Sequence, residues 1–404
     1  MTGEYLPKMF LLTTLVDNDR PTRHYKPFAV LRAAFLLYRM NTSRFFTAII
    51  GLILLFSACQ NTPEKVNTGY LHIRGAAQGT SYSIKYKDPT GRNIRAALDS
   101  IYAEMDQSIS NYKAGSLIQQ VNDADSMHKI DHHFLTMLQR SQWAYELSEG
   151  AFDPTIWPLM QFWGFGGEGI KEVDSIDSVA LDSVLQMVGF NKVRLFDGKR
   201  QLSIREAMYS SYRPDYWTIL KDHPDLQLDF NALGQGYTVD IIAAYLDGLT
   251  ITDYMIELGG EVRVKGKNPF GNPWTTGIVK PVEDKLAKDQ MAVLPLDNQS
   301  ITTSGNYRKF YQKDGQKVAH TINPKTGSTS QHNLLSATVV APDCTMADAL
   351  STVCMVLGME KARELVEPIE GVSLFLVYAE EDGSMATYTS PEIEGSLKIE
   401  TEEQ

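Results

Sequence analysis

Asp348 and Thr352 lie four residues apart in the run Asp343-Cys344-Thr345-Met346-Ala347-Asp348-Ala349-Leu350-Ser351-Thr352. On a helix this spacing puts a carboxylate and a hydroxyl on one face, with Thr345 one turn behind. Two hard oxygens so placed suit Mg²⁺ better than a softer metal. A plainer reading of the same residues makes Thr345 the N-cap and Asp348 its capping-box acid, with Thr352 filling a small core position. His320 is the second candidate, delivered by a strand-like run to the turn Asn323-Pro324-Lys325-Thr326-Gly327. A histidine in a loop at a strand end can act as a general base near neutral pH. His128, His132 and His133 fall in a polar stretch and read as solvated. Residues 226–240 are the third candidate, a strand running through a turn into a helix from Tyr237, with Asp229, Asn231, Gly234 and Gly236 at the junction. Glycines let the backbone approach a ligand, and a helix N-terminus favours anions, so a phosphate would fit there. The glycine spacing and the lack of a lysine exclude a dinucleotide fingerprint and a P-loop.

These residues need a scaffold, and the rest of the sequence predicts an α+β one. Two alternating runs over 70–86 read as a hairpin around Gly79-Thr80. Apolar residues at helical spacing predict helices over 93–110 and 133–147, the second stopped by Gly150. Another helix is predicted over 177–188 and a hairpin over 192–202, around Asp197-Gly198. Residues 206–225 read as a loop insertion over one end of the molecule. Strands at 254–258, 262–265, 274–279 and 335–340 follow, the first ending at Gly259-Gly260. The aromatic-rich segment with Trp157, Phe162, Trp163 and Phe165 beside glycines serves either as a stacking platform or as core.

Composition narrows the class. A net charge of −11 argues against nucleic acid as a partner. Met40 opens a short polar stretch with one arginine, residues 47–55 are apolar, and Phe56-Ser57-Ala58-Cys59 closes the pattern, which reads as a secretory signal over 40–58. The ending resembles a bacterial lipobox, implying cleavage before Cys59 and lipidation of its thiol. The apolar run is short of the ~20 residues of a spanning helix. Residues 1–39 lack an export pattern and read as an upstream extension, with Met40 the true start. Residues 59–69 then form a polar tether, 70–395 the folded domain and 396–404 an acidic tail. Of three cysteines, Cys344 and Cys354 remain after Cys59, and they read as small apolar residues.

Taken in order, Gly79-Thr80, residues 110–122, residues 229–240, Gly259-Gly260, Thr303-Ser304-Gly305, residues 320–327 and residues 345–352 together resemble the ApbE family of flavin transferases. The resemblance spans about 70–390 and implies a single ApbE-like (T-fold-like) catalytic body, two intertwined lobes of antiparallel strands and packed helices. It implies that FAD is the substrate and Mg²⁺ the cofactor, with FMN passed to a threonine of a partner protein and AMP released. The implied acceptors are subunits of membrane redox pumps, of the sodium-pumping NADH:quinone oxidoreductase (Nqr) and Rnf types. Metal ligands carried over are Asp348, Thr352 and the backbone oxygen of Ala232, and His320 is the base. The FAD site would take Thr80, Tyr112, Asp229, Asn231, Gly234, Gly236, Tyr237, Gly259, Gly260, Thr303, Ser304, Gly305 and Thr326. Tyr112, Trp163 and Phe165 are candidates to stack on a flavin or adenine ring. Gln235 and Asn323 stand where many members have lysine and aspartate. The implied location is the periplasmic side of a bacterial membrane, held by lipid at Cys59. A Mg²⁺-dependent FAD pyrophosphatase and a non-catalytic flavin-binding lipoprotein are the competing readings.

Overall fold

The computed structural model describes residues 69–400 apart from 125–126, 168, 174–176, 211–213, 283–288, 308–309 and 314–315. The signal segment, Cys59 and the tether before Gly69 lie outside the described residues. The chain opens with β1 (Tyr70–Ala77) and β2 (Thr80–Lys87), then the helices α1 (Arg95–Ile109) and α2 (Leu117–Asp123). After β3 (Met127–Ile130) come α3 (His132–Leu147), α4 (Trp157–Phe162) and α5 (Ser178–Leu185). The hairpin β4 (Val193–Phe196) and β5 (Gln201–Ser203) is followed by α6 (Ile204–Tyr209) and β6 (Trp217–Lys221). Next are α7 (Gly234–Gly248), β7 (Tyr254–Leu258), β8 (Glu261–Lys265), β9 (Trp274–Val279), β10 (Gln290–Leu296) and β11 (Ser300–Gly305). The last third holds β12 (Phe310–Lys313), β13 (Gln316–Ala319), β14 (Leu334–Ala341), α8 (Cys344–Leu357), α9 (Met359–Val366), β15 (Ser373–Ala379), β16 (Met385–Thr389), α10 (Pro391–Glu394) and β17 (Lys398–Ile399).

One eight-stranded sheet organises the body in the order β1-β2-β7-β8-β11-β14-β15-β16, with every pairing antiparallel. Strand β14 is buried along nearly its whole length, because both faces of the sheet are covered there. On one face Leu334, Val339, Leu374 and Leu376 pack with Leu350 and Cys354 of α8 and Val366 of α9. On the other, Val262, Ile301, Val340 and Phe375 pack with Trp274 and Leu294 of the β9–β10 pair. A four-stranded sheet, β3-β6-β4-β5, shares a core with α1, α3 and α7 through Leu195, Ile219, Phe134 and Ile242. The antiparallel sheets and packed helices make the α+β fold expected from the alternating runs.

Three local expectations are corrected. Residues 206–225 are not a loop insertion: they supply α6, fixed by a capping box between Ser203 and Glu206, and the buried strand β6 inside the four-stranded sheet. Residues 226–230 run extended without a ladder, and α7 begins at Gly234 rather than Tyr237. The extended segment is held by side chains instead: Asn111 Nδ2 and Asn122 Nδ2 each donate to Leu228 O at 2.9 Å, and Leu228 N donates to Asn122 Oδ1 at 2.7 Å. His133 is not solvated. It sits on the buried face of α3, and its Nδ1 is 2.9 Å from the hydroxyl of Tyr237 on α7.

Candidate flavin-transfer site

The N-termini of α7 and α8 meet, and two aspartates bind them crosswise. Asp343, not Thr345, caps α8, its Oδ1 accepting from Met346 N at 2.8 Å. Asp240, from the second turn of α7, takes the two amides before that of Met346, Cys344 N at 3.0 Å and Thr345 N at 2.8 Å. The Thr345 hydroxyl also donates to Asp240, at 2.6 Å, so it is engaged inside the helix rather than capping it. Arg263 on β8 neutralises Asp240 through Nη1 at 2.5 Å. Two carboxylates thus satisfy the first-turn donors that a helix start leaves open.

Asp348 is thereby released from capping its own helix. Its Oδ2 accepts the Gly236 amide, at 3.0 Å, from the first turn of α7. The approach needs glycine, because a Cβ at 236 would stand 2.4 Å from Cys344 O and 2.8 Å from Asp348 Cβ. Burial pushes the Asp348 carboxyl well above the usual carboxylate range, the charges of Glu261 and Asp240 add to the rise, and the Gly236 amide opposes it. A cation bound beside Asp348 would offset its desolvation and the neighbouring negative charge.

The chemistry of Asp348, Thr352 and Ala232 as a donor set fits a hard cation. Thr352, half-buried, lies one turn further along α8, and Ala232 lies in the turn that leads into α7. Among the described residues no three histidine, cysteine, aspartate or glutamate side chains converge to form a closed metal cage. A set with one carboxylate, one hydroxyl and one main-chain oxygen suits Mg²⁺, which keeps waters and substrate phosphates as further ligands. Leu233, the N-cap residue of α7, supplies no side-chain cap, so the positive end of the helix dipole meets the Asp348 carboxylate at this corner.

The glycine turns of the sheet close around this junction. Gln78 and Gly79 both take positive φ in the β1–β2 turn, as a tight hairpin requires. Residues 76–81 alone line a shallow, open depression of about 450 Å³ at that turn. Gly259, at φ +70°, begins the β7–β8 turn, and a Cβ on it would come within 2.9 Å of Thr80 Cγ2 and 3.2 Å of Gln235 Nε2. Gln78 Nε2 donates to Thr238 Oγ1 at 3.0 Å, pinning the hairpin to α7. Thr80, Gly259-Gly260, Gln235-Gly236 and Asp348 therefore share one locality. Ser304 joins it through Ser351, the two hydroxyls 2.8 Å apart and Ser351 Oγ donating to Asp348 O at 2.9 Å. Gly305 ends the same strand, where a Cβ would meet the Tyr307 ring at 2.4 Å.

The other sequence-chosen residues have contacts of their own. Asp229 is buried and accepts Asn231 N at 2.7 Å, while Asn231 Nδ2 lies 3.5 Å from the hydroxyl of Tyr112. Tyr112 is 58% exposed, its ring nearly perpendicular to that of Trp157. Trp163 and Phe165 are not a platform. Both are buried, Trp163 Nε1 donating to Gly327 O at 2.7 Å and Phe165 packing on Tyr311. His320 lies just past β13, half-buried, its ring centroid 6.3 Å from that of Phe165. Thr326 is exposed in the turn that follows, its hydroxyl accepting Ser328 N at 3.3 Å. The Thr303 hydroxyl pairs with Thr338, on the sheet face opposite Ser304 and α8. Tyr237 turns its ring into the core toward His133, so what it offers the junction is backbone. Asp240 and Arg263 were missed in the sequence, although Asp240 follows Gly236 at the four-residue spacing that shares a helix face.

The ApbE family model matches residues 78–376. The chain belongs to the ApbE family. It is similar to the FAD:protein FMN transferase of Vibrio cholerae, 30% identical over 340 residues that make up 83% of this chain and 93% of the relative. It is similar to that of Escherichia coli K12, 30% identical over 365 residues, 87% of this chain and 97% of the relative. The solved flavin transferase ApbE of V. cholerae superposes with a TM-score of 0.68 at 28% identity, covering 81% of this chain and 99% of that one. The apo flavinyl transferase ApbE of Pseudomonas stutzeri gives a TM-score of 0.67 at 28% identity, over 80% of this chain and 95% of that one. Its membership and the α+β body agree with the resemblance read from the seven ordered motifs.

Proposed function

We propose that this chain is a FAD:protein FMN transferase that uses Mg²⁺, attaches FMN to a threonine hydroxyl of a partner redox protein and releases AMP. The observation that carries the reading is Asp348, a buried carboxylate that accepts the Gly236 amide at the N-terminus of α7, in a chain of this family. A Mg²⁺ ion held by Asp348, Thr352 and the Ala232 carbonyl would neutralise charge on the pyrophosphate oxygens of FAD as the phosphoryl bond breaks. The residues around it do the rest. The first amides of α7 and the dipole behind them receive the anionic pyrophosphate. The turns at Gly79-Thr80 and Gly259-Gly260 let the backbone approach the dinucleotide. Tyr112, largely exposed, offers its ring to a planar group, a contact of about 0.5–1.5 kcal/mol. His320 takes the proton of the incoming threonine as its oxygen bonds to the flavin-side phosphorus and the oxygen of AMP departs. Export, a lipid anchor at Cys59, a place on the periplasmic side of the membrane and acceptors among subunits of Nqr- and Rnf-type redox pumps belong to the same proposal. They rest on the signal pattern and on the resemblance.

The test is stoichiometry. With FAD, Mg²⁺ and an acceptor domain, transfer predicts one AMP released per FMN found on the acceptor, with tandem mass spectrometry placing it on threonine. AMP formed at an equal rate without acceptor, with FMN left free, would replace the transferase by a pyrophosphatase.

A further inference from the structure

The edge of the large sheet at β1 differs from the rest of this acidic chain. Residues opposite one another on paired strands point to the same side. Tyr70 pairs with Lys87, His72 with Lys85 and Arg74 with Ser83, so one face of the β1–β2 hairpin carries His72, Arg74, Lys85 and Lys87. These cations crowd each other: besides its burial, Arg74 and Lys85 hold the His72 imidazole below its ordinary value. Two carboxylates border the face. Asp253 lies 3.7 Å from Lys87, and Glu257, across from Ser83, accepts the Gly260 amide. With Lys267 on the adjoining loop, the corner holds four permanent cations against these two acids, in a chain of net charge −11.

That adjoining loop, 266–273, holds an apolar ring out in water. Phe270 is 87% exposed. The loop behind it is braced: Asn268 Oδ1 accepts Phe270 N at 2.9 Å and Asn272 N at 3.2 Å, and Asn268 Nδ2 donates to Pro273 O at 3.0 Å. It is also fixed to the cationic face, because the Tyr70 hydroxyl donates to Lys267 O at 2.6 Å and the Tyr70 ring packs edge-on to Trp274.

We propose that this corner, the cationic β1–β2 face together with the Phe270 loop, docks on the surface of an anionic lipid bilayer. A bilayer surface takes up both features at once, headgroup phosphates drawing the cations and the interfacial layer accepting the ring. The chain enters the folded body here, at Gly69. Cys59, the residue read as lipidated, precedes Gly69 by ten residues, at most about 35 Å of extended chain. The docking would orient the catalytic body on the membrane rather than leave it hanging from a tether. This rests on the membrane anchor of the proposed function but not on its chemistry.

The experiment uses the full chain, purified from membranes, with an environment-sensitive nitrobenzoxadiazole label on Phe270→Cys. Cys344 and Cys354 are buried and stay unlabelled. Val179→Cys, at another exposed position, is the control. On vesicles of phosphatidylcholine with phosphatidylglycerol, the label at 270 is expected to brighten several-fold and shift to the blue. The response should weaken on phosphatidylcholine alone, at high salt and in Arg74→Glu/Lys85→Glu, whose fold is checked by circular dichroism. The label at 179 should stay water-like. A label at 270 that stays water-like on anionic vesicles would overturn the proposal, as would an equal response at 179. A response to protein concentration without vesicles would assign the corner to a second copy of the chain instead.

Discussion

Asp240→Asn isolates the clasp that positions Asp348. The substitution keeps the side-chain volume and one acceptor oxygen but removes the charge that four donors share, the amides of Cys344 and Thr345, the Thr345 hydroxyl and Arg263. Hydrogen bonds to a charged group contribute about 1.5–3 kcal/mol each, and losing a cap costs about 1 kcal/mol. Asparagine retains part of this, so the net loss is about 3 kcal/mol. For a body of this size that corresponds to a fall in Tm of roughly 4–5 °C. Asp348 sits one turn beyond the capped amides, so its aim loosens as well. Outer residues that orient a metal ligand are worth about 10- to 100-fold in affinity, and the Mg²⁺ midpoint should rise at least about tenfold. Thermal unfolding and a Mg²⁺ titration of FAD binding read the two effects separately. Amide exchange at Cys344 and Thr345 should quicken in the same variant. A Tm within about 1 °C of the wild type, with an unchanged Mg²⁺ midpoint, would refute the reasoning.

Three other contacts carry predictions of their own. Gly236→Ala drives a methyl into Cys344 O and Asp348 Cβ; forced overpacking costs about 1–3 kcal/mol, and Mg²⁺-dependent AMP release should disappear while circular dichroism at 20 °C stays near wild type. Tyr237→Phe removes the buried bond to His133 and should lower stability by about 1–3 kcal/mol, leaving FAD affinity unchanged; a large loss of FAD affinity would place that ring in the site after all. Asp153, buried while accepting from Thr155 and Phe190, has its carboxyl pushed up to about 6 by burial. Its folded form holds the proton more tightly than the unfolded chain, so its contribution to stability falls as pH rises from about 4 to about 6. The span is worth about 3 kcal/mol, and the difference in urea midpoint between wild type and Asp153→Asn should change across that interval and level off above it.

Much of the scaffold was legible because its signals are local. The apolar run of β14, the Pro342-Asp343 break and the apolar stretch of α8 follow one another in the sequence, and the structure keeps them in that form. The seven short motifs also carried their order, which the family match reflects. What escaped depends on distant partners. Thr345 looked like a cap because the sequence cannot show that Asp240, 105 residues away, occupies its hydroxyl. His133 looked solvated from its polar neighbours, yet it falls in phase with Phe134, Met137 and Leu138 on the buried face of α3, a signal the periodicity held. Trp163 and Phe165 read equally well as platform or core, and only the contacts with Gly327 and Tyr311 decide between them. Strand β6 is five residues long within a polar stretch, too short for alternation to stand out.

The central claim is that Asp348 at the α7–α8 junction drives FMN transfer. Intact mass of a purified acceptor domain, after incubation with the full chain, FAD and Mg²⁺, tests it most directly. The account predicts a gain of one FMN less one water with the wild type, and none with Asp348→Ala or with Mg²⁺ chelated. Full labelling by Asp348→Ala would contradict it.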